Sequence, residues 1–130
     1  MGKYLEKAKQ IRNDASLGYN CAQAIVVAFS DMTGLTEEQS AKAAVNFGGG
    51  MKRGATCGAI TGGLIVLGLL GIDKGPVIAD YYQSFRNNHE GCTDCADLLR
   101  KNAEKGCPKK EHCDNMVYEA VQLIEKIIEQ

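Results

Sequence analysis

Six cysteines stand in this 130-residue chain, at positions 21, 57, 92, 95, 107 and 113. Sulfur in this density offers two kinds of chemistry. A deprotonated thiol attacks disulfides, and the same thiolate binds soft metals and iron–sulfur clusters. The spacing separates the six into two overlapping sets. Cys21, Cys57, Cys95 and Cys113 are scattered widely along the chain and become one site only if the fold gathers them. Cys92, Cys95, Cys107 and Cys113 are close in sequence and form an alternative local zinc set, opened by the Cys-x-x-Cys of Cys92-Thr93-Asp94-Cys95. Their spacing is tighter than that of a usual zinc ribbon. His89 and His112 flank them as alternate ligands, but are better read as a polar residue ending a helix and a solvated loop residue.

The elements that must position these thiols read as helices throughout, so the expected fold class is all-α: a compact bundle of about six to seven helices forming one domain over residues 1–130. Apolar residues recur at helical spacing from Lys3 to Ala15, from Cys21 to Met32 and from Glu37 to Asn46. Further helices are expected from Cys57 to Leu70, from Pro76 onward, from Cys95 to Ala103 and from Asn115 to the end. No segment alternates with a period of two. Asn20 with Gln23 has the form of a capping box. Thr36, Thr56 and Asp94 are the expected caps of later helices, and Asp114 that of the last.

On these boundaries four cysteines fall at helix N-termini: Cys21 after Asn20, Cys57 after Thr56, Cys95 after Asp94, and Cys113 just before Asp114. Unpaired backbone N–H groups and the helix dipole favour negative charge there, so depressed thiol pKa values are expected, with Lys52 and Arg53 adding to the effect at Cys57. In an up-down bundle alternate helices start at the same end. This brings Cys21, Cys57 and Cys95 together, and the linker from Glu104 to His112 is long enough to return Cys113 to them.

The helix from Cys57 is dense in glycine. Gly58, Gly62, Gly63 and Gly68 each cost about 1 kcal/mol of helix stability relative to alanine. Gly58 and Gly62 share a face, so the helix is expected to be central and buried. That face is read as a close helix crossing, with room for a cofactor against Gly58 and Gly62 as the sharper alternative. An exposed face of the same helix would support a homodimer.

These residues carry a family resemblance. Cys57-Gly58-Ala59-Ile60-Thr61-Gly62 forms a Cys-Gly-Ala-x-x-Gly stretch, with Asn20-Cys21-Ala22-Gln23-Ala24 before it and Cys95-Ala96-Asp97-Leu98-Leu99 and Cys113 after it. In this the chain resembles the C_GCAxxG_C_C family, small domains labelled redox-active from their four cysteines. The match runs from about Leu17 to Ile128 and includes Phe47-Gly48-Gly49-Gly50-Met51. The resemblance implies a redox role for Cys21, Cys57, Cys95 and Cys113 and leaves Cys92 and Cys107 outside the set. Related domains occur beside haem-binding segments in split-Soret cytochromes, but no Cys-x-x-Cys-His is present here to attach haem covalently.

Other chemistries are disfavoured. Fifteen basic and sixteen acidic residues give a net charge of −1, which offers no electrostatic footprint for nucleic acid. The glycine stretch at 48–54 lacks the Gly-Lys-Ser/Thr of a phosphate loop. The longest apolar run, Gly58 to Ile72, is fifteen residues with five glycines, short of a membrane span. The start of the chain has no apolar signal core, so a cytoplasmic setting is expected, where thiols are kept reduced. The readings carried forward are thiol–disulfide redox chemistry with an unidentified partner, an iron–sulfur or other metal module on the same four cysteines, and a zinc site on the late four.

Overall fold

Local capping signals set the first half of the chain. In the computed structural model, which describes residues 2–129, Asn20 accepts from the Gln23 backbone N–H at 2.9 Å while the Gln23 side chain accepts from Asn20 N–H, also at 2.9 Å. Thr36 and Gln39 form the same reciprocal pair. Each satisfies two of the backbone donors that a helix start leaves unpaired. The helices are α1 (Lys3–Asn13), α2 (Cys21–Ala28), α3 (Ser30–Thr33), α4 (Glu37–Ala44), α5 (Gly58–Leu69), α6 (Gly75–Asn88), α7 (Cys95–Glu104) and α8 (Lys109–Ile128). The fold is all-α, and no strand occurs among the described residues.

Two boundaries depart from the sequence reading. The segment expected as one helix from Cys21 to Met32 breaks at Phe29, whose φ of −98° and ψ of 11° separate α2 from α3. The last helix begins at Lys109 rather than near Asn115. Pro108, with φ −62°, sets the chain up for a helix, and the polar residues that follow suit a first turn whose N–H groups face solvent.

Helix α2 packs most extensively on α5, and α8 lies against both. Ile25 and Val26 of α2, with Phe29 at its C-terminal end, meet Ile60, Val66 and Leu67 of α5 and Val117, Val121 and Ile124 of α8 in one buried cluster. Tyr4 of α1 stacks on Phe29 with ring centroids 4.5 Å apart. Tyr81 of α6 is buried beside α5, and its hydroxyl donates to the Ile60 carbonyl at 3.0 Å, which gives the polar end of a core aromatic its partner.

The glycines of α5 explain the close crossing. A Cβ on Gly62 would stand 3.0 Å from both Cα and carbonyl oxygen of Ala22. A Cβ on Gly63 would fall 2.0 Å from the Tyr81 hydroxyl. The face shared by Gly58 and Gly62 is therefore taken up by α2 and the chain around Phe47 and Gly48 rather than by open space. The propensity cost of these glycines is offset by the apolar burial that backbone approach permits.

Candidate functional site: a cleft lined by four cysteines

Three helix starts and the second turn of a fourth helix converge on one cleft of about 380 Å³, lined by Cys21, Cys57, Cys95 and Cys113. The positions differ from the expected ones in two cases. Cys21 is the first residue of α2, as the capping box dictates, and Cys95 the first of α7. Cys57 is itself the N-cap of α5, because Thr56 is drawn away into a bridge with Asp94. Cys113 is not at a helix start at all; with α8 beginning at Lys109, it lies one turn in, facing the cleft. Asp94 stands at the N-cap position of α7 but makes no side-chain capping bond.

The Thr56–Asp94 bridge joins two of the thiols. It is an isolated antiparallel pairing, flanked by Cys57 N–H donating to the Thr93 carbonyl at 2.8 Å and Cys95 N–H donating to the Ala55 carbonyl at 2.6 Å. The backbone groups of both cysteines are thereby fixed by one another's neighbours.

The loop between α4 and α5 supplies a further wall. Gly49, Gly50, Met51, Lys52 and Gly54 all have positive φ, and for Met51 and Lys52 this is a strained conformation. Gly50 is required, since a Cβ there would lie 2.3 Å from the Ala55 carbonyl oxygen. The turn aims the Gly49 N–H at the Cys21 sulfur.

The electrostatics divide the four thiols. Cys21 is lowered to about 6, first by the Cys57 thiol that donates to its sulfur, then by the N–H groups of Gly49 and Ala22 and the charge of Arg12, against the opposing effect of burial. Cys57, only 6% exposed, is pushed up strongly by the same hydrogen bond, by burial and by the Cys21 charge. Cys95 and Cys113 are raised by burial and by the negative charge on Cys21. The expectation of four depressed thiols therefore holds for one. Helix-terminal N–H groups do face Cys57, from Ala59 and Ile60, but a neighbouring thiolate and a dry site outweigh them. Lys52 and Arg53 are exposed and are not among the charges that act on Cys57.

The cation that matters is Arg12, from α1. Its Nε donates to Asp114 at 2.7 Å and its Nη1 to the Tyr19 carbonyl at 3.1 Å. Nothing local in sequence marks it, because its partner is 102 residues away. Lys109 and His112 also line the cleft; both lie in the segment that reads as a polar linker. His112 is held below the ordinary imidazole range, mainly by burial. His89 lies outside the cleft lining, with its Nε2 2.7 Å from a Glu119 carboxylate oxygen.

Cys92 and Cys107 do not line the cleft, and Cys107 is exposed. Among the described residues all six thiols are free, and no three His, Cys, Asp or Glu side chains converge closely enough to grip one metal ion. The chain is thus a helical protein whose four family cysteines line one small cleft, with Cys21 lowered and Cys57 raised by their mutual interaction. It matches, over residues 19–127, the family model described as "Putative redox-active protein (C_GCAxxG_C_C)". It belongs to that family, and redox chemistry is the general role that membership supports. No curated protein and no solved structure gives a match.

Proposed function

We propose that the chain is a dithiol–disulfide redox protein in which Cys21 is the attacking sulfur and Cys57 the resolving one. The observation that carries this reading is that Cys21 and Cys57 line one cleft and act directly on each other, lowering Cys21 and raising Cys57, while Gly49, Ala22 and Arg12 favour charge on Cys21. The Cys21 thiolate attacks one sulfur of a partner disulfide, whose S–S bond breaks and whose other sulfur leaves as a thiolate. Cys57 then loses its proton to that departing thiolate and attacks the Cys21 sulfur of the mixed disulfide. This closes Cys21–Cys57 and expels the second sulfur. Two electrons pass from the protein to the disulfide, and two thiol groups, one of them ionised, are released.

An attacking thiol works best when its pKa lies near ambient pH, which suits Cys21. A resolving thiol is better kept protonated until the mixed disulfide forms, which suits Cys57. Oxidation of the reduced protein with a disulfide, followed by non-reducing peptide mapping, tests the pairing. The expected product is a Cys21–Cys57 link. A first-formed link between any other two cysteines would overturn the assignment.

A second reading rests on all four family cysteines lining one cleft. Four thiolates are the donor set of an iron–sulfur cluster or another soft metal, and Cys21, Cys57, Cys95 and Cys113 would be the ligands. As they stand, no three of them converge on a single point, so a single ion would require the thiols to close in, whereas the cleft volume suits a larger group. Anaerobic reconstitution with iron and sulfide, followed by metal and sulfide analysis, tests this. Stoichiometric uptake that Cys95→Ser abolishes would support the cluster; no uptake would remove it.

A further inference from the structure

The cleft above Cys21 has a defined size and a one-sided charge. At about 380 Å³ it lies within the range that holds a small molecule, and Cys21 is half-buried within it rather than standing on a convex surface that another folded protein could cover. Its lining contains two permanent cations, Arg12 and Lys109, and no carboxylate. Asp114, the nearest acid to Arg12, is met twice, by Arg12 at 2.7 Å and by Lys110 at 2.8 Å, so its charge is compensated. Among the described residues Lys109 makes no ion pair. Its charge and that of Arg12 both act on Cys113, and Lys109 acts on Cys95, so both cations lie within electrostatic reach of the cleft thiols. The remaining surface is largely apolar, from Leu98, Leu99 and Met116.

From this arrangement we infer that the oxidant taken by the dithiol is a small, carboxylate-bearing disulfide rather than a protein disulfide. The inference rests on the thiol–disulfide reading above and names its substrate class. The disulfide's apolar body lies against Leu98, Leu99 and Met116, its carboxylate faces Lys109 and Arg12, and one of its sulfurs meets Cys21. The exchange then runs as written above, releasing two small thiols and leaving Cys21 bonded to Cys57.

The probes are dithiobis(nitrobenzoate), which carries two carboxylates, and dithiodipyridine, which is uncharged. Each is mixed with the reduced 130-residue chain at low salt, and modification at Cys21 is followed by rapid quenching and peptide mapping. The ratio of the two rates is compared with that of a free uncharged thiol, N-acetylcysteine amide. A cleft that concentrates anions should raise the ratio at Cys21 about tenfold. High salt should collapse the gain. Lys109→Glu should lower the ratio of the anionic rate to the dithiodipyridine rate about tenfold. A ratio equal to that of the free thiol, or a Lys109→Glu variant that slows both probes alike, would overturn the inference while leaving the dithiol reading intact. If neither probe ends in a Cys21–Cys57 disulfide, it is the dithiol reading that falls, and the substrate class with it.

Discussion

Gly58 is the residue at which fold and chemistry meet, and replacing it with alanine tests both. An ideal Cβ on Gly58 would stand 2.5 Å from Cys21 Sγ, 2.9 Å from the Phe47 carbonyl oxygen and 3.2 Å from Gly48 Cα. Comfortable contact between such atoms is about 3.5–4.0 Å, so the sulfur must retreat by about 1 Å. Two of the three obstacles are backbone, which leaves the new methyl no other direction. Overpacking of this kind costs roughly 1–3 kcal/mol, partly offset by up to about 1 kcal/mol of helix propensity. A net loss of about 1–2 kcal/mol follows for Gly58→Ala. Gly68, on the same helix, has nothing within 4 Å of its Cβ position and is exposed. Gly68→Ala should therefore be neutral or stabilising by up to about 1 kcal/mol. Urea unfolding of the reduced proteins reads this difference. The chemical consequence is read separately, by alkylation of Cys21 with iodoacetamide as a function of pH. Displacing the sulfur from the Gly49 N–H and the Cys57 thiol should move its midpoint from about 6 toward the ordinary value of roughly 8.5. Equal stability changes in the two variants, or a Gly58→Ala protein whose Cys21 midpoint stays near 6, would refute the reasoning.

Two further expectations follow from the same site. Cys21 has a folded pKa below its unfolded value, so the stability it contributes is complete above about pH 8.5 and is lost as pH falls through about 6. Cys57, Cys95 and Cys113 are raised on folding, so their contribution is present below about pH 8.5 and lost above it. The reduced protein should thus gain stability from pH 6 to 8 and lose it on further alkalisation. In Cys21→Ser the gain should be absent, and denaturant midpoints across that range check it. Arg12 and Asp114 are 12% and 14% exposed, so Arg12→Ala should cost about 2 kcal/mol, less than a fully buried pair because Lys110 still meets Asp114. It should also raise the Cys21 alkylation midpoint, whereas Arg12→Lys should lose much of the stability and keep more of the midpoint; thermal unfolding and the alkylation profile together separate the two.

What could be read from the sequence was whatever is written locally. The Asn20–Gln23 box and the Thr36 cap are each written within a few residues of a helix start, and they placed two such starts correctly, Cys21 among them. The glycine spacing at 58 and 62 gave the close crossing, because only the absence of side chains on one face makes such a helix worth its propensity cost. The start of α8 was missed for the converse reason. Lys109 to His112 has no apolar period, and in a first turn none is needed. With the helix starting at Lys109, Cys113 sits within α8 rather than at its end, and His112 becomes part of the cleft wall.

The features that give the cysteines different characters are all non-local. Thr56 looks like a cap when only its neighbours are read, but its pairing with Asp94, 38 positions later, makes Cys57 the cap instead. Arg12 lies on a helix that carries no thiol, and its ion pair with Asp114 and its bond to the Tyr19 carbonyl hold it at the cleft. The left-handed run at Gly49–Lys52 is compatible with many loop shapes, and what selects this one is the close approach of Gly48 to Asn20 and of Gly50 to Ala55. Four cysteines in similar helical contexts look equivalent in sequence. In the fold, one donor from Cys57 and one N–H from a strained loop favour charge on Cys21, the Arg12 guanidinium of α1 adds to this while acting on Cys113 as well, and the Cys21 charge then acts on the other three. One thiol lowered while its three neighbours are raised is the asymmetry that the proposed dithiol exchange would use.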